Sequence, residues 1–152
     1  MQSNLADEQP QSSRWVNAEI DNPKIFEFPS GVAGFTYAKQ YVFLAGAGNV
    51  ACMHCTDHPE AAFVVTDWDE NRLGKPPALR PEERALLELE TNQEPLWLLV
   101  LNPFSDPEWI YANLKAPIAI NELRQRGVQC VQISDDLQLR YHWMRHPNKL
   151  QD

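Results

Sequence analysis

Short apolar segments separated by turn-forming residues recur along most of the chain. Where apolar and polar positions alternate, or where a few apolar residues run together, the pattern predicts β-strands. Clusters of Gly, Pro, Asn and Asp between these segments, such as Gly46-Ala47-Gly48-Asn49, predict turns. The predicted strands lie at residues 25–28, 37–45, 50–56, 61–66, 96–101, 110–121, 128–133 and 137–143.

One segment has the features of a helix. Pro81 followed by Glu82 and Glu83 favours a helix start, because Pro is tolerated in the first turn and acidic residues complement the positive end of the helix dipole. Leu86 and Leu87 supply an apolar face. Strands and helices do not alternate along the chain, so the sequence predicts a mainly all-β antiparallel sandwich or barrel with one or two short helices.

The chain of 152 residues has the length of one domain. We expect a flexible tail at residues 1–13, a domain at 14–147 that begins with an extended edge segment at 14–20, and a second tail at 148–152. No basic region followed by an apolar stretch is seen at the N-terminus, and three cysteines do not make a closed disulfide framework. A cytoplasmic protein is therefore expected.

The charge of the chain is acidic. Thirteen Lys and Arg against 21 Asp and Glu give a net charge of −8, which disfavours direct nucleic-acid binding. Residues 57–94 hold ten acidic and four basic residues, a net of −6, so most of the excess is concentrated there. This stretch is either a solvated loop and helix face or a docking surface for a basic protein.

Two groups of residues suggest metal chemistry. Cys52, His54 and Cys55 lie close in sequence, but residues three apart on a strand face opposite sides, so the two thiols are expected to diverge. His142 and His146 are four apart, yet their segment alternates like a strand and Pro147 follows it. A metal-binding small-molecule protein that uses Cys52, Cys55 and a histidine remains the alternative. No nucleophile or phosphate-binding motif supports an enzyme.

Several segments are similar to the motifs of one known family. Two of them are residues 28–35 (Phe-Pro-Ser-Gly-Val-Ala-Gly-Phe) and 59–67 (Pro-Glu-Ala-Ala-Phe-Val-Val-Thr-Asp). The string Ala-Asn-Leu-Lys-Ala-Pro-Ile-Ala-Ile-Asn at 112–121 is the most specific, and Arg-Gly-x-Gln at 126–129 and Arg145-His146 follow in the expected order. In these segments the chain resembles the FliW family of flagellar assembly factors.

The resemblance implies a small antiparallel β-barrel-like domain without catalytic activity, in the cytoplasm. We also expect no cofactor and, by default, a monomer when the protein is alone. The resemblance further implies two protein partners, flagellin and the RNA-binding translational repressor CsrA, which exclude each other. When flagellin is exported, the freed factor would capture CsrA and relieve the repression of flagellin mRNA.

Candidate contact residues come from the most specific motif and from the acidic stretch. A proline in a strand marks an edge or a bulge, and an edge can accept a partner strand. The asparagines of the motif are also suited to hydrogen bonds with turns. The predicted partner-binding residues are Asn113, Lys115, Pro117 and Asn121, with Asp67, Asp69 and Glu70 as the acidic part.

Overall fold

The computed structural model describes residues 24–134 and 136–147. The predicted tails and the predicted edge segment at 14–20 lie outside the described residues. The strands are β1 (Phe26–Glu27), β2 (Gln40–Ala45), β3 (Val50–Cys55), β4 (Ala62–Asp67), β5 (Leu96–Asn102), β6 (Trp109–Asn121), β7 (Arg126–Gln129) and β8 (Tyr141–Arg145). Two short helices, α1 (Glu70–Leu73) and α2 (Pro81–Leu87), lie between β4 and β5.

Seven of these strands close into a barrel. They follow the order β5-β4-β3-β2-β1-β7-β6, and β6 pairs again with β5 to complete the circle. All these pairs are antiparallel except β1 with β7, which is parallel. β8 lies outside the circle and pairs with the first part of β6. The predicted all-β class is therefore confirmed, and the architecture is a barrel rather than a sandwich.

The barrel is held together by a core of aromatic and aliphatic side chains. Alternate residues of β3 are buried, as expected for a strand with one face turned inwards. Phe28, Val65, Ile118 and Ile120 are buried in this core, whereas Phe35 and Phe63 pack against it while partly exposed. Edge-to-face ring contacts, such as Phe26 with Phe43 at 5.2 Å between centroids, add specificity to this packing.

The helix α2 begins as the sequence predicts. Pro81 occupies its first turn, and the buried Glu83 accepts hydrogen bonds from the backbone N–H of Arg80 (2.8 Å) and from its guanidinium (2.8 Å). Leu87 then packs with Trp97 and Val128 on the outside of the barrel. The helix therefore covers an outer face of β5, β6 and β7.

Two glycines in the family motifs are explained by close approaches. Gly31 has a φ of +68°, and a Cβ atom there would lie 2.6 Å from the Cα of Thr36. Gly127 lies against the ring of Phe28, which would overlap any Cβ atom at this position. A side chain at either position would therefore strain the turn or displace the core.

The boundaries of the last strands differ from prediction. β7 ends at Gln129 rather than near residue 133, and β8 begins at Tyr141 rather than near residue 137. Between them the chain runs alongside the middle of β6 through isolated backbone bonds, for example from the N–H of Leu114 to the carbonyl of Gln138 (2.8 Å). These bonds give no regular ladder, so the alternating side chains do not mark a strand.

Candidate protein-binding surface

The predicted contact residues on β6 lie around an interruption of its ladder with β5. Leu98 pairs with Ile118 and Val100 pairs with Asn113, so β6 bulges between these two pairs. Pro117 lies in this bulge, which is one of the two positions that the sequence predicted for it. The other predicted position, an exposed strand edge, is wrong. The N–H of Cys130 donates to the carbonyl of Pro117 (2.7 Å), so this side of β6 is covered.

Burial divides the four β6 candidates into two pairs. Pro117 and Asn121 are fully buried, so their side chains offer no area to a partner in this conformation. Asn113 and Lys115 are half-buried. The side-chain oxygen of Asn113 accepts a hydrogen bond from the N–H of Lys115 (2.9 Å), and the carbonyl of Lys115 accepts one from Gln132 (2.7 Å).

Asn121 has an internal role that connects three segments. Its side-chain nitrogen donates to the carbonyl of Leu87 at the end of α2 (2.8 Å). Its side-chain oxygen accepts from the side chain of Gln93 (3.3 Å) and from the N–H of Leu123 in the β6–β7 turn (3.2 Å). The expectation that these asparagines bond turns is confirmed for Asn121, which bonds the β6–β7 turn, whereas the bond of Asn113 is to the N–H of Lys115 within β6.

The three acidic candidates meet in one groove of about 670 Å³. Asp67 ends β4, Asp69 caps α1 by accepting a hydrogen bond from the N–H of Asn71 (3.0 Å), and Glu70 is exposed in the first turn of that helix. The floor and walls also include Trp68 and Trp143, which are half-buried. Carboxylates beside aromatic surface can bind a cationic side chain by charge and by packing.

An arginine on the groove's helix was not predicted. The guanidinium of Arg72 lies 4.1 Å from the ring centroid of Trp143 and 5.4 Å from that of Tyr141, and it donates to the carbonyl of His142 (3.2 Å). This contact ties α1 to β8 across 70 residues of sequence. Local spacing carries no signal for it, because the contact depends on β8 pairing with β6.

The opposite face of β6 and β8 is lined by aromatic rings and arginines. His142 lies between the rings of Trp109 and Tyr111, with centroids 4.4 Å and 5.2 Å away. Arg140 lies over Tyr111 at 4.2 Å and Arg145 over Trp109 at 4.8 Å. These cation–π contacts hold the two strands together on their exposed side.

The family dipeptide Arg145-His146 fastens the end of β8. Arg145 donates to the carboxylate of Glu108 (2.9 Å), and the N–H of His146 donates to the carbonyl of Glu108 (2.9 Å). In the same loop, the N–H groups of Glu108 and Trp109 donate to the Asp106 carboxylate (2.7 and 2.9 Å) and hold the pKa of Asp106 below its usual range. The loop before β6 is therefore a fixed anchor for β8.

The cysteine cluster has the diverging geometry that the strand predicted. Cys55 is buried on the inner face of β3, while Cys52 is half-buried on the other face. The third thiol, Cys130, is buried beside α2, where burial and then the nearby Glu83 carboxylate raise its pKa to about 12. Within residues 24–134 and 136–147, no three His, Cys, Asp or Glu side chains are grouped so that they could hold a metal ion. The geometry therefore gives no support to the metal-binding alternative.

These features define a class of protein. It is a closed, mainly antiparallel β-barrel with an acidic groove at one end and a cation–aromatic face on a strand outside the barrel. Among the described residues, none of the helices has the length and apolar character needed to cross a membrane.

Comparisons with known proteins agree with this class and give its family. The sequence model of the FliW protein family matches residues 9–143. The flagellar assembly factor FliW of Geotalea uraniireducens is 32% identical over 122 residues, covering 79% of this chain and 74% of that protein. That of Thermotoga petrophila is 29% identical over 126 residues, covering 81% and 85%. This chain belongs to the FliW family of flagellar assembly factors.

A comparison of structures agrees with this fold. A crystal structure of the flagellar assembly factor FliW superposes with a TM-score of 0.70 at 22% sequence identity, covering 78% of this chain and 84% of that one. At this identity the comparison supports the barrel fold alone. The family model and the curated relatives, not this superposition, confirm the resemblance to the FliW family.

Proposed function

We propose that this protein binds newly made flagellin in the cytoplasm and, once flagellin is exported, binds and antagonises the translational repressor CsrA. In this role it is a non-catalytic factor that needs no cofactor, is monomeric when alone and touches no nucleic acid. The single observation that carries the proposal is membership of the FliW family, since its named relatives are flagellar assembly factors. The net charge of −8 agrees with a basic, RNA-binding partner.

The acidic groove is the proposed contact for CsrA. An RNA-binding protein must present basic surface, and the groove offers Asp67, Asp69 and Glu70 beside two tryptophans. Glu70 is exposed at the open side of the groove, so it can be changed without disturbing the core. Asn113 and Lys115 remain proposed contacts for flagellin, because they are the accessible members of the β6 motif.

Calorimetric titration of the full chain into flagellin and into CsrA from the same organism tests the proposal. We expect one-to-one binding to each, displacement of CsrA by flagellin, and weaker CsrA binding when salt rises from about 50 to about 300 mM. No binding of either partner at tens of micromolar would contradict the proposal. Binding of flagellin alone would contradict its regulatory half.

Matched variants locate the two contacts. Glu70→Lys should weaken CsrA binding by about tenfold, because it reverses one charge in the groove. Glu82→Lys is the control, since Glu82 is also exposed in the first turn of a helix but lies on α2. Lys115→Glu should weaken flagellin binding with little effect on CsrA. Equal effects of Glu70→Lys and Glu82→Lys on CsrA would exclude the groove as the site.

A further inference from the structure

β8 is an open strand edge. Each of β1 to β7 pairs on both sides within the closed barrel, whereas β8 pairs with β6 alone among the described residues. Natural sheets usually protect such edges with a proline, a bulge or inward-pointing charges. The sequence Tyr-His-Trp-Met-Arg of β8 contains no proline, and its one bulge lies in its pairing with β6.

The backbone of β8 offers hydrogen-bonding groups on its outer side. The N–H of His146 donates to Glu108, and Arg145 lies opposite Trp109. Because successive residues of an antiparallel strand direct their N–H and C=O groups to opposite sides, those of Arg145 point away from β6. On this side the carbonyl of His142 already accepts from the Arg72 guanidinium (3.2 Å), so an extended segment laid along the edge would pair first with the backbone groups of Arg145.

The segment that forms this edge is itself basic in an acidic protein, although Glu108 pairs with Arg145 beside it. Residues 137–147 contain two arginines and two histidines and no acidic residue, while the whole chain carries −8. Arg72 adds a third guanidinium on the Trp143 face, and Arg140 lies on the opposite face over Tyr111. Half-buried Tyr141 and Trp143 and exposed Met144 supply apolar contact area along the same strand.

We propose that β8 binds an extended, acidic segment of a partner protein as an added strand. The backbone of β8 supplies the affinity, and Arg140 and Arg145, which lie on the same face over Tyr111 and Trp109, select carboxylates at alternate positions of the segment. This edge has the opposite charge preference to the acidic groove, so the two surfaces take different ligands although both include Trp143 and Met144. The proposal does not depend on which flagellar partner binds the groove.

The test is a titration of the isotope-labelled full chain with a capped peptide in which Glu alternates with Val, followed by NMR. We expect shift changes centred on β8 and amide exchange of Arg145 slowed by about tenfold or more at saturation. A peptide with Lys in place of Glu should bind at least about tenfold more weakly. The Glu peptide with alternate amides N-methylated should also lose binding, because it cannot form the new ladder.

Variants separate charge from structure. Arg140→Ala and Arg145→Ala should each weaken binding of the Glu peptide by about threefold to tenfold, whereas Arg72→Ala should not, because Arg72 lies on the other face and already donates to the carbonyl of His142. Arg124→Ala is the control, since this exposed arginine lies in the β6–β7 turn and pairs with Glu88 instead. The spectrum of each free variant shows whether β8 is still paired, and two independent variants keep the test decisive if one disturbs the strand.

Three results would overturn the proposal. One is an Arg145 amide that is already protected in the free full chain, which would mean that another part of the chain or a second copy covers the edge. Another is equal binding of the Glu and Lys peptides. The third is a set of shift changes that maps to the acidic groove or to the opposite end of the barrel instead of β8.

Discussion

Tyr41 brings an unpaired hydroxyl into the core of the barrel. Its side chain is fully buried, and its oxygen has no hydrogen-bond partner among the described residues. Burial, followed by the nearby Cys55, raises the pKa of Tyr41 to about 12. The aromatic ring is held by Phe28, at 5.0 Å between centroids, so packing rather than the hydroxyl explains the residue.

Tyr41→Phe should therefore stabilise the protein. Removing a buried, unsatisfied hydroxyl while keeping the ring should raise the free energy of unfolding by about 1 kcal/mol. Urea denaturation followed by tryptophan fluorescence measures it. Tyr37→Phe is the control, because it removes the exposed bond from Tyr37 to the Glu60 carboxylate (2.8 Å) and should change stability little. A clear loss of stability in Tyr41→Phe would show that the hydroxyl has a partner after all.

Cys130 makes stability sensitive to alkaline pH. Its pKa is raised from 9.0 to about 12, first by burial and then by Glu83. Because the thiol ionises more easily in the unfolded chain, its contribution is complete below pH 9 and declines as pH rises from 9 towards 12. We expect a loss of about 1 kcal/mol from this thiol by pH 10. Denaturation of Cys130→Ala and Cys52→Ala at pH 8 and 10 tests it, and only Cys130→Ala should flatten the pH dependence.

At the scale of elements, Asn121 fixes α2 and the β6–β7 turn to the end of β6. Asn121→Ala should lower the free energy of unfolding by about 2–4 kcal/mol, since it leaves the carbonyl of Leu87 and the N–H of Leu123 without this partner. Asn113→Ala is the matched control on the same strand, because one local bond of 2.9 Å is lost there. Similar losses in both variants would contradict the special role of Asn121.

The sequence predicts best those strands in which buried and more exposed residues alternate. The segment at 50–56 contains β3, where Ala51, Met53 and Cys55 are buried in turn. The four-residue helix α1 carries no such period. It forms because Asp69 caps its start and Gly74, with a φ of +80°, allows the chain to leave it. The pattern of apolar residues carries little information about such short-range backbone effects, so it does not predict α1.

The same distinction applies to the candidate sites. Asp67, Asp69 and Glu70 lie close together in sequence, so their meeting in one groove could be anticipated from that closeness alone. Trp143 reaches that groove because β8 pairs with β6 and Arg72 stacks on its ring. Pro117 suggested an edge strand because proline has no N–H to donate to a neighbouring strand. The sequence does not show that the N–H of Cys130 donates to its carbonyl and covers this side of β6.

At the scale of the whole molecule, closure of the barrel depends on a narrow contact between β1 and β7. The two strands share a single paired position, Glu27 with Arg126, and the N–H of Glu27 donates to the carbonyl of Gln125 (2.9 Å). Beside this short ladder the ring of Phe28 lies directly on Gly127. Packing of an aromatic ring on a bare backbone therefore compensates for the few hydrogen bonds at the closing point.

Gly127→Ala should weaken the closed barrel as a unit. The new methyl group would overlap the ring of Phe28, which is fully buried and has little room to move, so we expect a loss of about 1–3 kcal/mol in the free energy of unfolding. The transition should remain cooperative, since the two strands close the same core. Denaturation monitored by both fluorescence and circular dichroism measures the loss and the cooperativity.

A double-mutant cycle with Phe28→Leu identifies the cause. Leu is smaller than the ring, so Gly127→Ala should cost less in the Phe28→Leu background than in the natural chain, with a coupling of about 1 kcal/mol. If the two losses simply add, the cost of Gly127→Ala does not arise from overlap with the Phe28 ring. That result would contradict the proposed role of the Phe28–Gly127 contact in closing the barrel.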